Sequence, residues 1–188
     1  MLLTLRLHPL MASAVLPVLA LCLGAHASAQ SFGAEQPMAA PEIIQPIAVQ
    51  AADLDGDGDV DVLAGSRSDS KISWRRNLGG GVFGEWSEIS TDAQGPFSLR
   101  AVDLDQDGDL DVLSANYDGA ELVWHENLGG GLFGPKRFIP TLDRSARFAT
   151  VADLDGDGLP DVLAAMLGNP SVVWHRNLGN GSFEGSRP

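Results

Sequence analysis

The sequence predicts an all-β chain built from β-propeller blades, and three observations carry that prediction. First, a unit recurs every 50 residues: Asp53, Asp103 and Asp153 open three acidic nonapeptides, and Trp74, Trp124 and Trp174 keep the same interval, as do Asn77, Asn127 and Asn177. Second, residues 51–84 align with 101–134 without a gap, with 18 of 34 positions identical. Third, short apolar segments alternate with glycine- and aspartate-rich turns, and none sustains the 3.6-residue period of a helix. A four-stranded sheet of about 50 residues cannot bury both faces alone, whereas radial stacking of such sheets can. The expected architecture is three four-stranded antiparallel repeats, forming a partial propeller or one that oligomerises.

Before the first repeat, residues 1–29 have the plan of a secretory signal peptide. Arg6 supplies the positive start, an apolar run follows to Gly24, and Ala27-Ser28-Ala29 offers a cleavage site. The run is shorter than the ~20 residues a spanning helix needs. Export to the extracellular space, the periplasm or the cell surface is therefore expected, with no membrane association after cleavage. Residues 30–188 hold the repeats, with blade cores at about 48–90, 98–140 and 148–186.

Each unit divides into four strands. The first is apolar (Val49–Ala52, Leu99–Val102, Ala149–Ala152) and leads into the acidic loop; the second leaves it (Val60–Ala64, Leu110–Ser114, Asp161–Ala165). The third carries the tryptophan (Ile72–Arg75, Leu122–His125, Val172–His175). A glycine turn after Asn-Leu-Gly then reaches a fourth strand, Gly84–Ile89 and Gly134–Ile139. Phe32-Gly33 has the spacing of a fourth strand that precedes the first whole unit and could complete the last blade. Two chains of three blades would make six, so a homo-oligomer that completes the propeller is one expectation.

Charge narrows the partners. The chain carries a net charge of −13, which becomes −14 without residues 1–29, and the three nonapeptides hold 14 aspartates. Such a surface argues against nucleic acid and anionic membranes and in favour of cations. The one cysteine, Cys22, lies in the predicted signal peptide, so the mature chain has no disulfide and needs another source of stability.

The aspartates follow the pattern D-x-D-x-D-G-x-x-D. Asp53, Asp55, Asp57 and Asp61 form the first set, Asp103, Asp105, Asp107 and Asp111 the second, and Asp153, Asp155, Asp157 and Asp161 the third. Hard cations take six to eight oxygens, and carboxylates on a tight loop can supply most of them. Without a cation, carboxylates this close repel one another. Position 6 is glycine in all three loops, where a positive φ is expected. Position 7 is Asp59, Asp109 and then Leu159, so the backbone carbonyl is the expected ligand there. Calcium fits better than magnesium, which keeps its waters, and about three sites are expected. An EF-hand is excluded because Ala64, Ser114 and Ala164 stand where its glutamate would be, between strand-like flanks.

DLDGDGDVDVL followed by the W…NLGGGxFG segment resembles an FG-GAP/VCBS repeat, the blade unit of integrin-α-type propellers. The resemblance covers about residues 32–186. It implies a hairpin loop holding calcium in each blade, in secreted or surface proteins that bind or adhere. Gln106, Leu159 and Pro160 depart from the pattern without removing a carboxylate.

The expected function is a secreted calcium-binding module for adhesion or for a protein or glycan ligand, with structural calcium and no enzymatic activity. An accessory or truncated part of a polysaccharide-active enzyme is the alternative. The three tryptophans are expected between blades, and His125 and His175 on the surface, because the first unit has Arg75 at their position. Loops 65–71, 115–121 and 165–171 and connections 91–97 and 141–148 vary between units, opposite the metal loops. Binding loops vary where scaffolds stay uniform, which makes Arg67, Tyr117, Asp118, Arg144 and Arg147 the candidate ligand residues.

Overall fold

A computed structural model describes residues 34–35, 37–38, 44–141, 145–168 and 171–185. The predicted signal peptide, Phe32-Gly33 and Arg144 lie outside the described residues. Contacts divide the chain into Met1–Pro37 and Met38–Pro188, and the repeats fall in the second unit.

Among the described residues, eleven strands form three antiparallel meanders. The first sheet runs β1 (Pro46–Ala52), β2 (Asp61–Ser66), β3 (Lys71–Asn77), β4 (Phe83–Ser90). The second runs β5 (Pro96–Val102), β6 (Asp111–Asn116), β7 (Glu121–Asn127), β8 (Phe133–Ile139). The third holds β9 (Ala146–Ala152), β10 (Asp161–Met166) and β11 (Val172–His175), with a single bridge between Asn177 and Phe183 where a fourth strand would begin. The all-β class and the blade repeat are as the sequence predicts, and among the described residues the sheets do not close into a ring.

Consecutive blades pack face to face. Leu54, Leu63, Ile72 and Trp74 of the first blade share a core with Leu99 and Val112 of the second. Leu104, Leu113, Leu122 and Trp124 of the second blade do the same with Ala149, Val162 and Ala164 of the third. Trp74 meets Phe133 edge-on, with ring centroids 6.4 Å apart. The tryptophans seat on glycines of the following blade: a Cβ on Gly131 would lie 2.4 Å from Trp74, and one on Gly181 2.2 Å from Trp124. These glycines thus leave room for an indole, and the expected inter-blade role of the tryptophans holds for Trp74 and Trp124.

His125 and His175 depart from expectation: both are buried. They pair across strands with Val112 and Val162, on the face that meets the preceding blade. Arg75 pairs with Val62 at the equivalent place in the first blade, whose face has no preceding blade among the described residues. Arginine is tolerated there because the position is open, not because it is open in every blade. Burial lowers the pKa of both imidazoles, which favours their neutral form.

Two outcomes are expected. Trp124→Ala removes the largest buried side chain between the second and third blades, and should cost about 3–5 kcal/mol in denaturant unfolding. For the buried histidines, stability is complete above the unfolded imidazole pKa of about 6.5 and is lost as pH falls from that value through the lowered folded-state pKa. Thermal midpoints measured from pH 7.5 to pH 5, roughly one to two units around that value, should fall less for His125→Gln than for the wild type.

Candidate functional site

The acidic loops join the first and second strands of each blade, and backbone geometry explains how so short a loop gathers its carboxylates. Gly58, Gly108 and Gly158 take positive φ, as the sequence predicts. Position 4 also turns left-handed: Gly56 and Gly156 do so freely, and Gln106 does so at φ 63°. The cost of that conformation to a side-chain-bearing residue is about 1–2 kcal/mol, and a bond from Gln106 Nε2 to the carbonyl of Gly158 in the next blade (2.6 Å) offsets part of it. The first carboxylate organises the turn: Asp53 accepts from the backbone N–H groups of Gly56, Asp57 and Gly58 at 2.9–3.1 Å. Asp103 and Asp153 accept from Gly108 and Gly158 in the same way.

Three clusters result. Oxygens of Asp53, Asp55 and Asp57 lie within 4.8 Å of one another, as do those of Asp103, Asp105 and Asp111 and those of Asp153, Asp155 and Asp161. Burial raises the pKa of Asp55, with Asp61 adding to it; burial also raises that of Asp105, where Asp107 adds to it. Asp105 Oδ1 is buried without a hydrogen-bond donor. An orphaned carboxylate oxygen inside an all-oxygen cluster is what a bound hard cation would satisfy, so the residues present fit a metal ion.

The carboxylate at position 9 has a further task. Asp61 is buried and accepts from the N–H of Leu54 (2.9 Å) and of Asn77 (2.8 Å). Asp111 does the same with Leu104 and Asn127, and Asp161 with Leu154 and Asn177. Each one therefore ties the acidic loop to the turn between the third and fourth strands. Burial pushes Asp111 up to about 7 despite those two donors. The neighbouring asparagine extends the tie to the preceding blade: Asn127 Nδ2 donates to Leu54 O at 2.7 Å, and Asn177 Nδ2 to Leu104 O at 2.8 Å.

The loops also differ in a way that sequence reasoning missed. Arg76 pairs with Asp55 and Asp57, and Arg176 with Asp155 and Asp157, so two loops carry a guanidinium of their own. Glu126 occupies that position in the second blade and pairs with Arg137 instead. The signal was present as an Arg-Glu-Arg alternation one residue before each repeated asparagine.

At the opposite end of the blades, four of the five candidate ligand residues come together. Arg67 holds Asp118 through two bonds of 2.7 and 2.9 Å. Its guanidinium lies 5.3 Å over Phe97, Phe97 meets Tyr117 edge-on at 5.3 Å, and Arg147 lies 4.6 Å over Tyr117. Gly95, at φ +68°, brings the connecting segment against Asp118, where a Cβ would come within 2.5 Å of a carboxylate oxygen. The cluster thus draws on all three blades. Phe97 was not singled out from sequence because it lies in a connection that differs between units.

A family model described as an FG-GAP-like repeat matches residues 53–114 and again 103–164. The chain belongs to the FG-GAP-like repeat family. The matched segments of the FG-GAP-like repeats run from one acidic loop through the next, so they cover the carboxylate clusters and the tryptophan strands between them. A search of curated proteins finds no match. Among solved structures, the repeats are similar to an Agrocybe aegerita lectin described by its specific recognition of non-reducing terminal N-acetylglucosamine, with 28% identity and a TM-score of 0.56. The alignment covers 73% of this chain and 37% of the lectin chain.

The two kinds of loop carboxylate should separate in the absence of metal. In chelator, Asp105→Asn should raise the thermal midpoint, because it removes a charge whose neutral form the fold already favours. Asp111→Asn should lower it, by about 1–3 kcal/mol of stability, because an amide cannot accept from both the Leu104 and the Asn127 N–H groups.

Proposed function

We propose that this chain is a secreted, calcium-stabilised binding module that serves adhesion or ligand capture and performs no catalysis. The observation that carries the binding reading is the cluster of Phe97, Tyr117, Arg67, Asp118 and Arg147, which sets two half-buried aromatic rings beside fixed charges at the variable end of three blades. Aromatic faces pack on the apolar faces of sugars, and carboxylate and guanidinium groups bond hydroxyls. A glycan fits this chemistry, a protein epitope is the other ligand class, and the likeness to a lectin supports the glycan.

Asp53, Asp55 and Asp57, Asp103, Asp105 and Asp111, and Asp153, Asp155 and Asp161 would hold calcium. Bound there, calcium neutralises the carboxylates and cross-links each loop, in a mature chain that has no disulfide. The protein residues do the rest: Asp53 and its equivalents fold the loop, and Asp61 and its equivalents anchor it to the third-strand turn. Secretion is read from residues 1–29, and no described helix is long and apolar enough to cross a membrane.

The test joins thermal melts to a glycan array. Calcium should raise the midpoint, magnesium should do so less, and chelator should lower it; a midpoint indifferent to all three would sink the metal reading. Tyr117→Ala should weaken binding to a glycan identified on the array by roughly 10-fold or more, with the calcium-dependent melt unchanged. Unaltered binding would remove the ligand from this face.

A further inference from the structure

The three acidic loops share their carboxylates and differ in the residue before the repeated asparagine, which is Arg76, Glu126 or Arg176. Arg76 sits on the first cluster. Its Nε pairs with Asp55 and its Nη2 with Asp57 (3.4 Å), and both belong to the set whose oxygens lie within 4.8 Å of one another. The Asp55 side chain is 0% exposed, so the guanidinium reaches a carboxylate that water does not. Arg176 repeats the arrangement in the third loop, on Asp155 and on Asp157 (2.9 Å).

The second loop has no such cation. Glu126 pairs with Arg137, and among the described residues no lysine or arginine pairs with Asp103, Asp105, Asp107, Asp109 or Asp111. Asp105 Oδ1 is buried without a hydrogen-bond donor, in the one cluster of the three that joins it to Asp103 and the fully buried Asp111. The second loop is also held from the next blade, since Gln106 Nε2 donates to Gly158 O at 2.6 Å. Five aspartates there face no paired arginine, five face one in the first loop, and four face one in the third. Ligand charge and rigidity are the two properties that set how tightly a carboxylate loop holds calcium.

We infer that the second loop is the high-affinity cation site of this chain, and that Arg76 and Arg176 are built-in counter-ions that support the first and third loops without metal and weaken their hold on it. The inference rests on the calcium reading above and ranks its three sites: the second, then the first, then the third. A guanidinium and a calcium ion are drawn to the same oxygens, so uptake at Asp55 or Asp155 works against a resident positive charge. In the high dielectric of an exposed loop, one such charge changes affinity by about 10-fold. The second loop has neither this penalty nor this support. Its carboxylates repel one another unrelieved until a cation joins them.

The test titrates calcium by calorimetry into the full chain, freed of metal by chelator and desalting, and melts the same samples. The wild type should show one tight site and two weaker ones, separated by about 10-fold or more. Glu126→Arg should remove the tight site and, in chelator, raise the thermal midpoint. Arg76→Gln should do the reverse, adding a second tight site and lowering the midpoint in chelator. Glu126→Gln releases Arg137 without placing a guanidinium on the loop, and should keep the tight site. Three sites of equal affinity would overturn the inference and leave the calcium reading intact. So would a tight site that survives Glu126→Arg, or an Arg76→Gln variant whose isotherm and chelator midpoint match the wild type. The Arg76 arm decides even where Glu126→Arg does not fold. A chain that takes up no calcium would overturn the inference and the calcium reading together.

Discussion

A sheet of four short strands that is apolar on both faces has no stable existence in water, and every other feature of this protein follows from how those faces are covered. The second blade shows the arrangement in full. Its tryptophan-bearing face, with Leu104, Leu113 and Leu122, is closed by the third blade, and its other face, with Leu99 and Val112, is closed by the first. Glycine at position 131 or 181 is therefore a packing residue as much as a turn residue, because it makes space for the indole of the blade before it. Covered faces also decide which polar groups are tolerated. Burial favours the neutral form of His125 and His175 inside contacts, while Arg75 lies on a face that no preceding blade covers among the described residues.

The acidic loops belong to the same framework. Asp61, Asp111 and Asp161 each bond two backbone N–H groups, one within the loop and one on the asparagine after the third strand. In the second and third blades that asparagine reaches the carbonyl of the previous blade's loop. A continuous path of hydrogen bonds thus links loop to turn and turn to the next loop. Repulsion among the loop carboxylates works against this path, and Arg76 and Arg176 counter it in two blades. The second blade, with Glu126 in their place, has an orphaned oxygen on Asp105 instead.

Much of this was legible in the sequence, for a physical reason. A repeat with a fixed period multiplies each weak signal by three, so the strands, the loops, the positive-φ glycines and the tryptophan contacts could be read from spacing alone. What could not be read depends on which blade a residue occupies. His125 was expected at the surface because Arg75 shares its phase, but phase does not tell whether a neighbouring blade covers the position. Position 9 was read only as a ligand, because the bonds it accepts come from backbone groups that carry no sequence signature. Phe97 escaped because it lies where the units differ. Arg76 and Arg176 escaped because the second unit has glutamate there.

The same division explains how the two ends of the blades can differ in kind. At one end, carboxylates, glycines and asparagines recur unchanged because each satisfies the same backbone groups in every blade. At the other, the bonds that recur run between backbone groups, from the N–H of Arg67, Tyr117 and Leu167 to the carbonyls of Gln45, Gly95 and Ser145, so the side chains of Arg67, Tyr117, Asp118 and Arg147 were free to diverge while the sheets beneath them stayed uniform. Their arrangement is nonetheless ordered, because each sits within a few residues of a strand end that the inter-blade core holds in place. Tyr117, at the end of β6, can meet Phe97 from the connection before it and Arg147 from the blade after it only if three blades keep their relative positions. Preorganisation of a face in this way reduces the ordering cost of binding. A framework that stiffens the metal end would therefore act on affinity at the far end without touching the ligand.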